Sequence, residues 1–255
     1  MDRKYRNHYE GCQLMSWVRV DQVLDTLFPP RCLLCGQSGL GVGMGAEPGV
    51  PVCSGCMTDL PWLGEPGDCS SAHSNPDLGH FAVALSALTY EYPVDRLIAA
   101  AKFGRQVPVA RGLGQLLALH MPALPEPPDA VVPVPLHWRR EASRGFNQAE
   151  EIARALCAAR RWPLRADLCR RIRPTPEQSG LGAARRRDNL RGAFALADAR
   201  AASRCRHVLL VDDVLTTGAT AAAVGEVFQA AGVQRLSLWT VARTRSPPQA
   251  TERKV

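Results

Sequence analysis

Apolar residues recur along the chain with two periods, and the alternation between them predicts an α/β fold. Phe81 to Tyr90 carries the run Ala-Val-Ala-Leu-Ser-Ala-Leu-Thr, which suits a strand. Val94, Leu97, Ile98 and Ala101 then fall at helical spacing, and a second helix is predicted over Pro108 to Leu119. A proline-rich turn, Pro122 to Pro128, precedes a strand over Ala130 to Val134. A helix over Asn147 to Ala159 presents Ile152, Ala155 and Leu156 on its inner face. Leu164 to Leu168 and Ala193 to Leu196 read as short strands. Val208 to Val211 is unbroken apolar sequence, as expected for a strand covered on both faces. An alanine-rich helix over Ala221 to Phe228 and a strand over Arg235 to Ala242 complete the pattern. Strands and helices alternating from 81 to 242 predict a mostly parallel sheet flanked by helices.

Upstream the pattern changes. Leu14, Trp17, Val18, Leu24, Leu27 and Phe28 repeat at helical spacing until Pro29-Pro30 stops them. The predicted organisation is a tail and amphipathic helix (1–28), a small module (29–66), a Gly/Ser/Pro-rich linker (67–79), the α/β domain (80–243) and a disordered tail (244–255). No apolar run reaches the length of a membrane span. The first residues mix Arg, Asp and Glu, unlike a secretory signal.

The small module carries metal chemistry. Cys32 and Cys35 form one Cys-x2-Cys knuckle, and Cys53 and Cys56 form another after a spacer of 17 residues. Two such knuckles complete a tetrahedral zinc-ribbon-like site. All four positions are filled by protein, so Zn2+ is expected to be structural, and its binding to supply most of the module's folding energy. The other five of the nine cysteines are scattered, an odd number that fits a reducing cytoplasm rather than disulfides.

The α/β domain carries a second motif, Val211-Asp212-Asp213-Val214-Leu215-Thr216-Thr217-Gly218-Ala219-Thr220. Two carboxylates are predicted where a buried strand ends, beyond which open α/β sheets bind ligands. Gly218 allows close backbone approach, and the amides of Thr216 to Thr220 face a helix opening suited to phosphate. The carboxylates would repel that phosphate, so they are assigned to sugar hydroxyls. The implied ligand is a ribose 5-phosphate. The stretch resembles the motif by which type I phosphoribosyltransferases bind 5-phosphoribosyl-1-pyrophosphate (PRPP).

The resemblance extends further. The order is the four-cysteine module, Lys102-Phe103, Val132-Pro133-Val134-Pro135, Arg144-Gly145-Phe146-Asn147-Gln148, Arg173-x-Thr175-x2-Gln178, Arg186-x2-Asn189 and the Asp-Asp motif. This is similar to the ComF family over roughly residues 29 to 242. The resemblance implies a phosphoribosyltransferase-like domain behind a zinc-ribbon-like module, and a role in uptake of transforming DNA. It also implies that Asp212 and Asp213 meet the ribose hydroxyls, and that Thr216, Thr217, Gly218 and Thr220 hold the 5-phosphate. Pro135, Leu136 and His137 fall where such folds place a pyrophosphate loop. Arg173, Thr175, Gln178, Arg186 and Asn189 match a flexible segment that closes over ligand in related enzymes. Lys102 and Arg144 match further family positions. Many members carry a second cysteine cluster; here only Cys69 stands in that region, with His73 nearby, which argues against a second zinc site.

The chemistry expected of such an enzyme is loss of pyrophosphate from C1 of PRPP, through a transition state resembling an oxocarbenium ion. Mg2+ would bridge the pyrophosphate and ribose oxygens, near Asp212 or Asp213. Arg144, Arg173 or Arg186 would neutralise the leaving charge. No residue marks a general base or a nucleobase pocket. The expected partners are therefore PRPP or a related phosphoribosyl ligand, with competence-machinery proteins; an oligomer is allowed.

Charge keeps a second reading open. The net charge is +7, yet Arg139 to Arg191 alone holds 14 arginines, no lysine and six acidic residues. Forked contacts to phosphates account for that surplus, and so does a solvated arginine-rich face. With Trp62, Trp138 and Trp162 it is compatible with single-stranded DNA, although tryptophans are more often core residues. The alternative is thus a non-catalytic nucleotide- or DNA-binding accessory protein.

Overall fold

The computed structural model describes residues 31–38, 51–65, 67, 78–174 and 189–245. The helix expected over residues 14–28, the tail after 245, Cys69 and His73 lie outside the described residues.

A parallel sheet forms the centre. Its strands are β1 (Val83–Thr89), β2 (Ala130–Pro133), β5 (His207–Leu215) and β6 (Arg235–Arg243), in the order β1-β6-β5-β2. Every neighbouring pair is parallel. Two short strands, β3 (Cys169–Arg171) and β4 (Phe194–Leu196), pair antiparallel beside it. Strands buried on both faces need continuous apolar sequence, and β5 opens with His207 followed by Val208 to Val211, all buried.

Each face of the sheet has its own core. On one lie α2 (Val94–Phe103), α3 (Val107–His120) and α5 (Gln148–Arg160), packing Ile98, Leu113, Leu117, Ile152 and Leu156 against Leu209, Val211 and Trp239. On the other, α7 (Ala219–Ala230), preceded in the chain by the short α6 (Ala199–Ala202), packs Val224 and Phe228 against Val208, Leu210 and Leu238. A Cβ at Gly114 of α3 would collide with the Ile152 carbonyl and come within 2.8 Å of Ala155 Cβ, so glycine lets α3 and α5 touch. Neighbouring strands β2 and β5 thus send their following helices to opposite faces. That switch in winding opens a crevice beyond their carboxyl ends.

The four-cysteine module is part of this body. Its helix α1 (Ser54–Thr58) follows directly on Cys53. Cys32, Val52 and Leu60 are buried in the same core as α3. A Cβ at Gly112 would lie 2.5 Å from Leu33 Cδ1 and 2.7 Å from Pro51 Cγ, so the module rests on that helix. Its exit segment pairs with edge strand β1: Leu63 N donates to Ala87 O and Thr89 N donates to Pro61 O, each at 2.9 Å. An exposed edge is thereby covered. Trp62 stacks on His120 of α3 at 4.4 Å between centroids.

Three local expectations are corrected. Leu164 makes only one bridge to Val131, and the strand expected over 164–168 forms instead at Cys169–Arg171. Pairing with Phe194 to Leu196 decides this, a partner invisible to local pattern. Strand β5 runs on to Leu215 because β6 offers backbone partners as far as Arg243, so Asp212 and Asp213 lie within the strand. A short helix, α4 (Trp138–Arg144), occupies a stretch that showed no apolar period.

Candidate ligand crevice and zinc centre

Because side chains alternate across a strand, the two aspartates serve different faces. Asp213 shares the parity of Leu209 and Val211, is 4% exposed, and meets Lys102 Nζ of α2 at 3.0 Å. Among the described residues, its Oδ2 has no hydrogen bond besides this ion pair. Asp212 turns the other way, with its Oδ1 accepting from Asp213 N at 2.8 Å.

Asp212 lines a cleft of about 40 Å3 with Thr216, Thr217, Gly218, Ala219, Thr220 and Thr240. Gly218 caps α7 with φ 78, a left-handed conformation that favours glycine. No side chain caps the helix, so its first amides face the cleft as anion donors. Five predicted residues, Asp212, Thr216, Thr217, Gly218 and Thr220, thus come together, whereas Asp213 turns away from the cleft to Lys102.

Burial, and then the charge of Asp213, raise the Asp212 carboxyl to about 7, while Lys102 and Arg171 oppose the shift. The sign follows from linkage. Between about pH 4 and 7 the folded chain keeps a proton that the unfolded chain releases, so stability falls as pH rises through that window. Asp212→Asn is expected to flatten this fall. Partial solvent access limits the gain to about 1–2 kcal/mol at pH 8, or a few degrees in Tm. Thermal melts at pH 5 and 8 check it; an unchanged pH dependence would refute it.

The loop after β2 leaves the sheet beside β5, where Val134 N donates to Val211 O at 2.9 Å. Pro135 and Leu136 are half-buried and His137 is buried. His137 caps α4, its Nδ1 accepting from Arg139 N at 3.3 Å. Burial and the guanidiniums of Arg171, Arg139 and Arg140 push its pKa down, so a neutral ring performs the capping. Arg171 bridges to His137 through its backbone. Burial and Arg140 weaken its proton affinity while Asp212 strengthens it. Sequence reading missed Arg171, Arg140 and Thr240. The only local signal was the arginine surplus, because the β3–β4 pairing that sets Arg171 here joins residues over 20 positions apart.

The other predicted arginines separate. Arg144 is part-buried, donates to Gln148 Oε1 at 3.1 Å, and stands 5.2 Å from the Phe103 ring. Arg173 donates to Asn189 O at 3.0 Å and Arg191 O at 2.7 Å, tying together the two ends of residues 174–188 rather than entering the crevice. Arg186, Thr175 and Gln178 lie outside the described residues.

The four predicted ligands Cys32, Cys35, Cys53 and Cys56 do converge. Their sulfurs all lie within 4.8 Å of one another, and Cys35 Sγ and Cys53 Sγ are 3.7 Å apart. Tetrahedral zinc with Zn–S bonds of about 2.3 Å separates its sulfurs by about 3.8 Å. Burial alone raises the Cys32 thiol, but backbone N–H groups of Cys35, Cys53 and Leu34 outweigh it and bring it to about 6. Burial and the neighbouring sulfurs push Cys56 up. Thiols so placed ionise together only around a cation. Residues 23–72 match the double zinc ribbon domain family. The cluster is therefore a structural zinc site, the one four-cysteine cluster among the described residues.

Across its length the chain is 32% identical over 236 residues to competence protein F of Haemophilus influenzae, covering 84% of this chain and 96% of that protein. This chain belongs to the ComF family. DNA utilization protein YhgH of Salmonella typhi is 30% identical over 220 residues, with 84% of this chain and 86% of the relative covered. Its counterpart in Escherichia coli O157:H7 is 33% identical over 160 residues, or 61% and 69%. Among the described residues of this ComF-family chain, no helix is long and apolar enough to cross a membrane.

Proposed function

We propose that the chain is a PRPP-binding, phosphoribosyltransferase-like protein that serves the use of incoming DNA. The observation that carries the reading is the joining of the Asp212 carboxylate to the Gly218-capped opening of α7 in one cleft. The first amides of α7 and the Thr217 and Thr220 hydroxyls would hold the 5-phosphate, and Asp212 the ribose hydroxyls. Arg171, whose charge reaches Asp212, would help neutralise a leaving pyrophosphate. The single carboxylate facing the cleft, Asp212, is too little to cage Mg2+ alone and fits an ion that arrives with its phosphates, to which it would supply charge neutralisation. The names of the relatives, competence protein F and DNA utilization protein, support the link to DNA.

The test is calorimetric titration of Mg2+ and PRPP into the zinc-loaded chain and into Thr217→Val/Thr220→Val. Saturable binding is expected in the wild type, weakened at least about tenfold in the variant. No binding at millimolar PRPP in a folded protein overturns the reading.

One observation favours a non-catalytic, DNA-contacting role instead. Trp138 is 63% exposed, and the Arg139 guanidinium lies 5.3 Å from its ring. Trp62 and Trp162 pack inside, against His120 and Trp239. PRPP binding without pyrophosphate release in the presence of nucleobases would select this second reading.

A further inference from the structure

The central sheet changes character toward its carboxyl end. On the face under α7, Ala84, Leu238 and Leu210 stand side by side on β1, β6 and β5, an apolar row packed into the core. The next row on that face is Ser86, Thr240 and Asp212, polar throughout. Ser86 and Thr240 are buried, on strands whose covered faces favour continuous apolar sequence. A polar row here costs stability unless its groups are used. Ser86 and Thr240 bond each other, their hydroxyl oxygens 2.6 Å apart. The single Thr240 proton is directed at Leu85 O, 3.5 Å away, so Thr240 accepts the bond from Ser86. A hydroxyl accepts twice, which leaves Thr240 one acceptor site among the described residues. Thr240 borders the cleft at α7 beside Asp212.

A ribose ring brings two neighbouring hydroxyls to that cleft. Asp213 meets neither, because it is turned to Lys102. Asp212 already engages its Oδ1 with the Asp213 amide. We propose that Thr240 shares the ribose with Asp212, accepting from one ring hydroxyl while the carboxylate accepts from the other, so that the cleft selects ribosyl over deoxyribosyl phosphates. This role for Thr240 rests on the PRPP reading and narrows it to ligands that keep both hydroxyls. The bond from Ser86 fixes the Thr240 hydroxyl in advance, so little side-chain freedom is lost on binding.

The experiment titrates the zinc-loaded full chain with ribose 5-phosphate and with its 2-deoxy and 3-deoxy analogues, and separately with Mg2+ and PRPP. Each titration is repeated on Thr240→Val, Thr240→Ser and Thr217→Val/Thr220→Val, with melts to confirm folding. The wild type is expected to bind ribose 5-phosphate about three- to tenfold more tightly than either analogue. Thr240→Val should weaken ribose 5-phosphate and PRPP by a similar factor. It should bind one of the two analogues as the wild type does, because that analogue lacks the hydroxyl that Thr240 holds. Thr240→Ser should keep the wild-type affinities. The proposal is overturned if the wild type binds either analogue as tightly as ribose 5-phosphate, an outcome that requires no variant to fold. It is overturned equally if folded Thr240→Val binds ribose 5-phosphate or PRPP like wild type, or weakens ribose 5-phosphate and both analogues by one common factor. Binding lost in Thr217→Val/Thr220→Val but unmoved in Thr240→Val overturns the role of Thr240 and leaves the PRPP reading standing. A folded wild type that binds neither ribose 5-phosphate nor PRPP overturns both.

Discussion

Stripping zinc from the full chain will unsettle the α/β body as well as the ribbon. Metal binding to a four-cysteine site contributes on the order of 10 kcal/mol to folding its module. That module buries Cys32, Val52 and Leu60 in the core shared with α3 and covers the edge of β1 through Pro61 to Leu63. Losing the metal therefore uncovers an apolar helix face and an unpaired strand edge together. Chelation, or Cys32→Ser, is expected to lower the Tm of the main transition by roughly 10 °C or more and to promote aggregation. Calorimetry with metal analysis, before and after chelation, checks both. A main transition unmoved by complete zinc loss would mean that the ribbon merely leans on the body.

Lys102→Met is expected to cost about 2–3 kcal/mol, discounted from the 3–5 typical of a broken buried pair because Lys102 keeps some solvent. The reason is the carboxylate left behind. Asp213 is 4% exposed, lies next to Asp212, and loses its 3.0 Å partner. Asp213→Asn in the same background should restore most of the stability, because an amide carries no charge to strand there. In a chain of this size the loss appears as roughly 5–10 °C in Tm. A single variant that melts within a degree of wild type, or a double variant no better than the single, would show that the pair holds no buried charge in place.

The main elements were legible because their patterns are local. The Val208 to Val211 run, the helical spacing around Ile152 and the two Cys-x2-Cys knuckles each announce themselves within a few residues. Misplaced elements depended on partners far away. Strand β3 forms at Cys169 because Phe194 to Leu196 lies alongside, and β5 continues past Asp213 because β6 keeps offering backbone groups. Trp138 counted among tryptophans expected inside, yet it is exposed, because α4 presents it to solvent and only His137 of that turn is buried.

By itself the sequence determined which chemistry is present: four thiols at metal spacing, a carboxylate pair, a glycine with hydroxyls at a helix opening, and an excess of arginine. These are properties of residue type and short spacing, which the chain carries before it folds. Tertiary structure alone decided how they are shared out. It set Asp213 against Lys102 and left Asp212 to the cleft, because alternate side chains of one strand enter different layers. It set the charges of Arg171, Arg140 and Asp212 within reach of one another and turned Arg173 to the carbonyls of Asn189 and Arg191. It turned the ribbon from a tethered bead into the cover of an edge strand. Charges and donors act over a few ångströms, and only the packing of distant segments sets those distances.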